Sequence, residues 1–280
     1  MRDDAKLEAA RAAVARIVPG QVNPAMVERA ALVTVVGDEV ADRGWQSAFA
    51  AGESGRVEAA RLLRERFGPR NPRRGWLLWL LFGTLAGAAL SAVFATGFRV
   101  EAADVGTVSA SLAAAVALMD LLLLGVAGAR PLNFAFLRAQ IPTAILMVAA
   151  AGLLLTREFD IAAIVTTISA VVAVGTAVTV ALVRRGQADA THEIDTALQH
   201  AYADAAPVAF AAAETAQQKL LSEIGPGAAA EVVRIRSELF AGRTEPAFGE
   251  IAASTPAGGV IVQHLASSWL PLDMTDEWRR

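Results

Sequence analysis

The sequence predicts an all-α integral membrane protein with four transmembrane helices and helical cytoplasmic flanks at both ends. Three observations carry this prediction. Hydrophobic residues make up 55% of the 280 residues, more than a soluble domain of this length carries. They concentrate between residues 75 and 183, while most of the charge lies in 1–74 and 186–280. Within the central stretch, four apolar segments follow one another through loops of a few residues, and a bilayer core of about 30 Å takes roughly 20 apolar residues as helix.

The segments are read at about 76–98, 105–127, 140–155 and 161–183. The first, second and fourth are long enough to span. The third is short and opens near Pro142, a residue tolerated in the first helical turn because its missing N–H has no helical partner there anyway. The chain opens "MRDDAKLEAARAAV", which is charged and amphipathic, so no signal peptide is expected and the first span serves as its own insertion signal. Cysteine is absent, which removes disulfides, thiolate metal sites and thiol nucleophiles.

Arginine placement sets the expected orientation. Arg70, Arg73, Arg74, Arg130, Arg138, Arg184 and Arg185 fall on one side of the four segments, and only Arg99 and Arg157 on the other. Basic residues favour the cytoplasmic side, so both termini are expected in the cytoplasm, with Trp76 and Trp79 at the inner interface. The outer loops, about 99–104 and 156–160, are too short for an external binding domain. Arg70, Arg73 and Arg74 are expected to face lipid, where a basic residue near an anionic surface gains about 1 kcal/mol. Arginine outnumbers lysine 23 to 2, the composition of a high-GC bacterial genome, and the bilayer is then a cell inner or plasma membrane.

The N-terminal region, 1–74, reads as three short helices. Leu7, Ala10, Val14 and Ile17 mark the first. Asn23 before Pro24 is an N-cap followed by proline at the first helical position. A third helix is expected to open at Ser54 or Gly55 and to carry Val57, Ala60, Leu63 and Phe67 on one face. The C-terminal region, 186–280, reads as a helix over 188–205 interrupted by Pro207, a second ended by "GPG" at 225–227, a third around Val232, Ile235 and Leu239, and shorter elements beyond. The first region has net charge +3 and the second −7. Their opposite signs suit packing on one another, and equally suit two solvated helical surfaces.

Catalytic signatures are missing. There is no GxxxxGK[ST] loop, no HExxH and no GxSxG. His192 and His200 stand eight residues apart, about 80° around a helix, which is poor spacing for a shared metal. Basic and aromatic residues are too sparse and scattered for a nucleic-acid surface. No enzyme activity, cofactor, metal or nucleic-acid partner is expected.

The apolar segments carry more signal. Gly83, Gly87, Ser91 and Ala95 fall four apart, as do Ser169, Ala173, Ala177 and Ala181. Such small-residue strips let helices approach closely, within the chain or in a homo-oligomer. Asp120 lies deep in the second segment, where a carboxylate facing lipid costs about 2.5–3.5 kcal/mol. It should therefore face the bundle. Thr84, Thr176 and Thr179 sit at similar depth and are its expected partners. A neutral, hydrogen-bonded Asp120 is structural glue, whereas a titrating one with water access is an ion or proton site. The expected function is a non-enzymatic membrane scaffold, accessory subunit or regulator. It works through a protein partner or a second copy at the cytoplasmic face. The alternative is a small ion, proton or solute channel or transporter that uses Asp120.

Overall fold

The structure is a computed structural model. It describes residues 2–18, 22–98, 104–156, 160–241, 243, 246–249, 251–252 and 254–270. It is 85% helix, with no strand among the described residues. The chain divides into two compact units. One comprises residues 60–201. The other combines residues 1–59 with 202–280, so it draws on both ends of the chain.

The unit of residues 60–201 contains four helices long and apolar enough to cross a membrane. They are α4 (Leu77–Ala95), α5 (Val105–Ala127), α6 (Phe134–Leu155) and α7 (Ile161–Gly186). Both α4 and α7 pack against α5 and against α6, which leaves α5 and α6 facing each other across one diagonal of the bundle. The third apolar helix starts at Phe134, six residues before the boundary read from sequence, and Pro142 lies inside it. Arg99 and Arg157 lie outside the described residues.

The inward stripes explain the packing. On α4 the buried residues are Leu77, Leu81, Thr84, Ala88, Ser91 and Ala95. On α6 the same alternation of four and three runs through Phe136, Gln140, Thr143, Met147, Ala150 and Leu154. This is the seam of a left-handed coiled coil. Apolar residues also cover the outward face, among them Trp79, Phe82, Leu118, Ile145, Val171 and Leu182. A water-soluble monomer rarely presents an apolar surface of this extent.

The bundle interior is layered along its length. One apolar cluster contains Leu77, Leu81, Leu123, Leu132, Phe136 and Val180. A second contains Ala88, Val116, Ala144, Met147 and Ala173. A third, at the far end, contains Ala95, Val105, Leu154 and Ala163. Buried polar residues fall between these clusters on every helix.

In the unit built from both chain ends, α1 (Arg2–Ala15) precedes α2 (Pro24–Val36), which Asn23 caps as expected, its Oδ1 accepting from the Met26 N–H at 2.9 Å. Gly37, at φ 92°, ends that helix. The third N-terminal helix is longer than predicted. Helix α3 (Asp38–Phe67) runs unbroken through Gly52 and Gly55. These glycines admit a close neighbour. A Cβ on Gly52 would stand 2.6 Å from the Leu265 carbonyl oxygen, and one on Gly55 2.5 Å from the Trp269 ring.

The C-terminal region departs from the sequence reading in two places. The helix expected over 188–205 is broken at Thr196, between α8 (Ala188–Asp195) and α9 (Ala197–Phe240). Pro207 does not interrupt α9. The break expected at the GPG of 225–227 is present, at Gly225 with φ 75° and ψ 166°, and Pro226 restarts the helix in the first-turn position that suits proline. Leu7, Val14, Val27 and Leu32 share one core with Leu220, Val232, Ile235 and Leu265. The oppositely charged regions therefore pack on one another, and Arg43 pairs with Glu223 across them.

Candidate functional site

The one buried carboxyl group of the four-helix bundle, among the described residues, is Asp120. It occupies the inward stripe of α5 between Val116 and Leu123 and is fully buried. Its partner is Gln140 on α6, also fully buried, whose Nε2 donates to Asp120 Oδ1 at 2.8 Å. This bond spans the α5–α6 diagonal. The remaining Asp120 Oδ2 and Gln140 Oε1 have no hydrogen-bond partner among the described residues.

The threonines expected to serve Asp120 do otherwise. Thr84 and Thr176 are buried on α4 and α7, between the same two apolar clusters. Their hydroxyls donate to carbonyls of their own helices, Leu81 at 2.8 Å and Val172 at 3.0 Å. Each has only one proton to give, so neither donates to Asp120. Thr179 is exposed on the outer face of α7. Thr143, also buried, donates to Ala139. Gln140 escaped the sequence reading because it was placed at the edge of the third segment. Carrying the helix back to Phe134 puts Gln140 on the same inward stripe as Phe136 and Thr143.

The small-residue strip of α4 packs within the chain, against α5. A Cβ on Gly83 would stand 2.8 Å from Met119 Sδ, and one on Gly87 2.8 Å from Val116 Cγ2. Further along, Ser91 and Ser109 each donate to the other's backbone carbonyl at 3.0 Å. On α7, Ser169 and Ala173 are buried, Ala173 in the same cluster as Ala88 and Val116, with Ala177 packed against it.

At one end of the bundle, the α5–α6 loop is held by side chains from elsewhere. Gln187 donates to the Ala129 carbonyl, Arg70 to Pro131 at 3.1 Å and Arg184 to Leu132. Asp195 accepts from the Phe134 N–H at 2.9 Å and pairs with Arg184 at 2.7 Å. It thereby caps α6 from a neighbouring helix. Arg70 is half-buried in this role, and burial together with the Arg130 guanidinium holds it below the usual arginine range. Arg73 and Arg74 are exposed. Near His192, Glu193 pairs with Arg66 at 2.8 Å and Asp195 with Arg184.

A buried charge pair lies in the unit built from both chain ends. Glu28 on α2 and Arg236 on α9 are both sealed from solvent. Arg236 also donates to the Thr255 and Pro256 carbonyls, and the Ile261 N–H donates to Glu28 Oε2 at 2.9 Å. Burial pushes the Glu28 carboxyl above the usual carboxylate range, and the Arg236 guanidinium pulls it back. The pair reverses the net charges of the two regions, since the acid comes from the basic one and the base from the acidic one. Every member of this cluster is satisfied, so it fits a structural clasp better than a reactive centre.

No family model matches the chain, and neither the curated proteins nor the solved structures contain a match.

Proposed function

We propose that the protein is a non-enzymatic multi-pass membrane scaffold or accessory subunit. It works through protein contacts made by the unit that its two ends build together. The observation that carries this reading is the shared core of residues 1–59 and 202–280. Four spans return the chain to the side from which it started, and a domain drawing on both flanks requires that same return. Seven arginines flank this side of the spans against two on the other, which favours the cytoplasmic face of a cell membrane. Arg73 and Arg74, exposed beside Trp76 and Trp79, suit the headgroup zone there.

Reconstitution tests this proposal against flux. The full chain, purified in mild detergent and placed in liposomes, is expected to pass protons and small cations at the background rate of empty vesicles. The same preparation is expected to retain a stoichiometric protein partner, with Asp120→Asn leaving that association intact. Flux above background that Asp120→Asn abolishes would replace the scaffold with a transporter.

A further inference from the structure

We propose that Asp120 and Gln140 together form a binding site for a single proton, which closes the diagonal between α5 and α6. The argument begins with donors and acceptors. Gln140 Nε2 already donates to Asp120 Oδ1 at 2.8 Å. The two oxygens left over, Asp120 Oδ2 and Gln140 Oε1, are buried and unpartnered. Both are acceptors, so neither can satisfy the other as they stand. Leaving such groups unmade in an apolar interior is costly, and a bare buried charge is costlier still.

The surroundings supply no other remedy. The hydroxyls of Thr84, Thr143 and Thr176 are committed to Leu81, Ala139 and Val172. Among the described residues, no cation faces the carboxylate. Helix α4 has no ionisable residue, and α5 has only Asp120 itself. Helix α6 has Arg138 and α7 has Arg184 and Arg185. Arg138 and Arg185 are exposed, and Arg184 is paired with Asp195. A metal ion such as calcium asks for six or more oxygens around one point. A proton asks for one.

The step is a simple protonation. Hydronium gives its proton to the Asp120 carboxylate, an O–H bond forms, and water leaves. The carboxyl then carries a donor, the interior loses its charge, and the amide and acid are matched in donors and acceptors. The site lies within the spans and does not rest on the role of the unit built from the chain ends.

Infrared spectroscopy of the full chain in lipid nanodiscs at neutral pH reads this directly. The difference spectrum of wild type minus Asp120→Asn is expected to show the C=O stretch of a protonated carboxyl, lost completely in the variant. Gln140→Leu is expected to keep that band and shift it to higher frequency, because the acid loses its amide partner. Glu28, the other fully buried carboxyl among the described residues, cancels in the subtraction. Circular dichroism controls for folding, and the wild-type and Asp120→Asn pair suffices if Gln140→Leu does not fold. A carboxylate band at Asp120 at neutral pH overturns the proposal. So does an acid band that sodium ions remove, which would make the site one for a metal cation.

Discussion

Glu28 and Arg236 stand 208 residues apart in the chain and meet in the interior of one unit, Arg236 Nη1 donating to Glu28 Oε1 at 2.5 Å. The pair ties α2 to α9 and, through the Thr255 and Pro256 carbonyls and the Ile261 N–H, to the segment entering the helix Gly259–Ser267. Arg236→Met is expected to destabilise this unit by about 3–5 kcal/mol, because Glu28 is left buried without its counter-charge. Glu28→Met combined with Arg236→Met should recover most of that loss. Denaturant unfolding followed by Trp45 and Trp269 fluorescence, in a background with Trp76, Trp79 and Trp278 replaced by Phe, checks both. Equal destabilisation in single and double variants would show that the charges do not depend on each other.

Asp120 and Gln140 invite a comparison of amide and hydrocarbon. Asp120→Asn retains both a donor and an acceptor and should leave bundle stability nearly unchanged. Asp120→Leu should lose an interhelical bond typically worth about 0.6 kcal/mol, with roughly 1.7 as an upper value, and it strands the Gln140 amide as well. Adding Gln140→Leu to Asp120→Leu should therefore restore stability rather than reduce it further. Unfolding by increasing fractions of a denaturing detergent measures the series. Additive losses in the double variant would refute the coupling.

The α4 strip separates tight sites from open ones. Gly87→Leu should cost about 1–3 kcal/mol by overpacking, since even a Cβ would meet Val116 Cγ2 at 2.8 Å. Gly83→Leu should cost less, because the obstructing atom belongs to the flexible Met119 side chain. Gly152→Ala and Gly175→Ala, with nothing within 4 Å of the added carbon, should be neutral or slightly stabilising. Detergent melting curves rank the four, and a neutral Gly87→Leu would mean that the α4–α5 contact is wrong.

Membrane orientation can be read with thiols, because the chain has no native cysteine. Ala102→Cys, in a loop that lies outside the described residues, should react with an impermeant reagent in intact cells. Gln187→Cys should react only after permeabilisation. The reverse pattern would invert the topology.

Much of this architecture is legible in the sequence. Long apolar runs and their arginine flanks are one-dimensional features, and they locate α4, α5 and α7 to within a few residues. Asn23–Pro24 marks the start of α2 because a cap is a local bond. The inward position of Asp120 follows from the cost of exposing a carboxylate to an apolar surround. What failed depended on partners remote in the chain. Gly52, Gly55 and Pro207 are ordinary helix-breaking signals, yet α3 and α9 run through them. At Gly52 and Gly55 the reason lies in the close approach of Leu265 and Trp269, more than 200 residues away.

The amino-acid sequence by itself determined that four helices are apolar enough to span a membrane and that one of them carries a carboxylate inside. Hydrophobicity and helical period are properties of neighbouring residues. Only the tertiary structure decided that Gln140, rather than a threonine, meets Asp120, and that the two ends of the chain share a core around Glu28 and Arg236. A hydrogen bond reaches about 3 Å. Its partners are chosen by which helices lie side by side and how each is rotated, and residue order along a single helix does not contain that information.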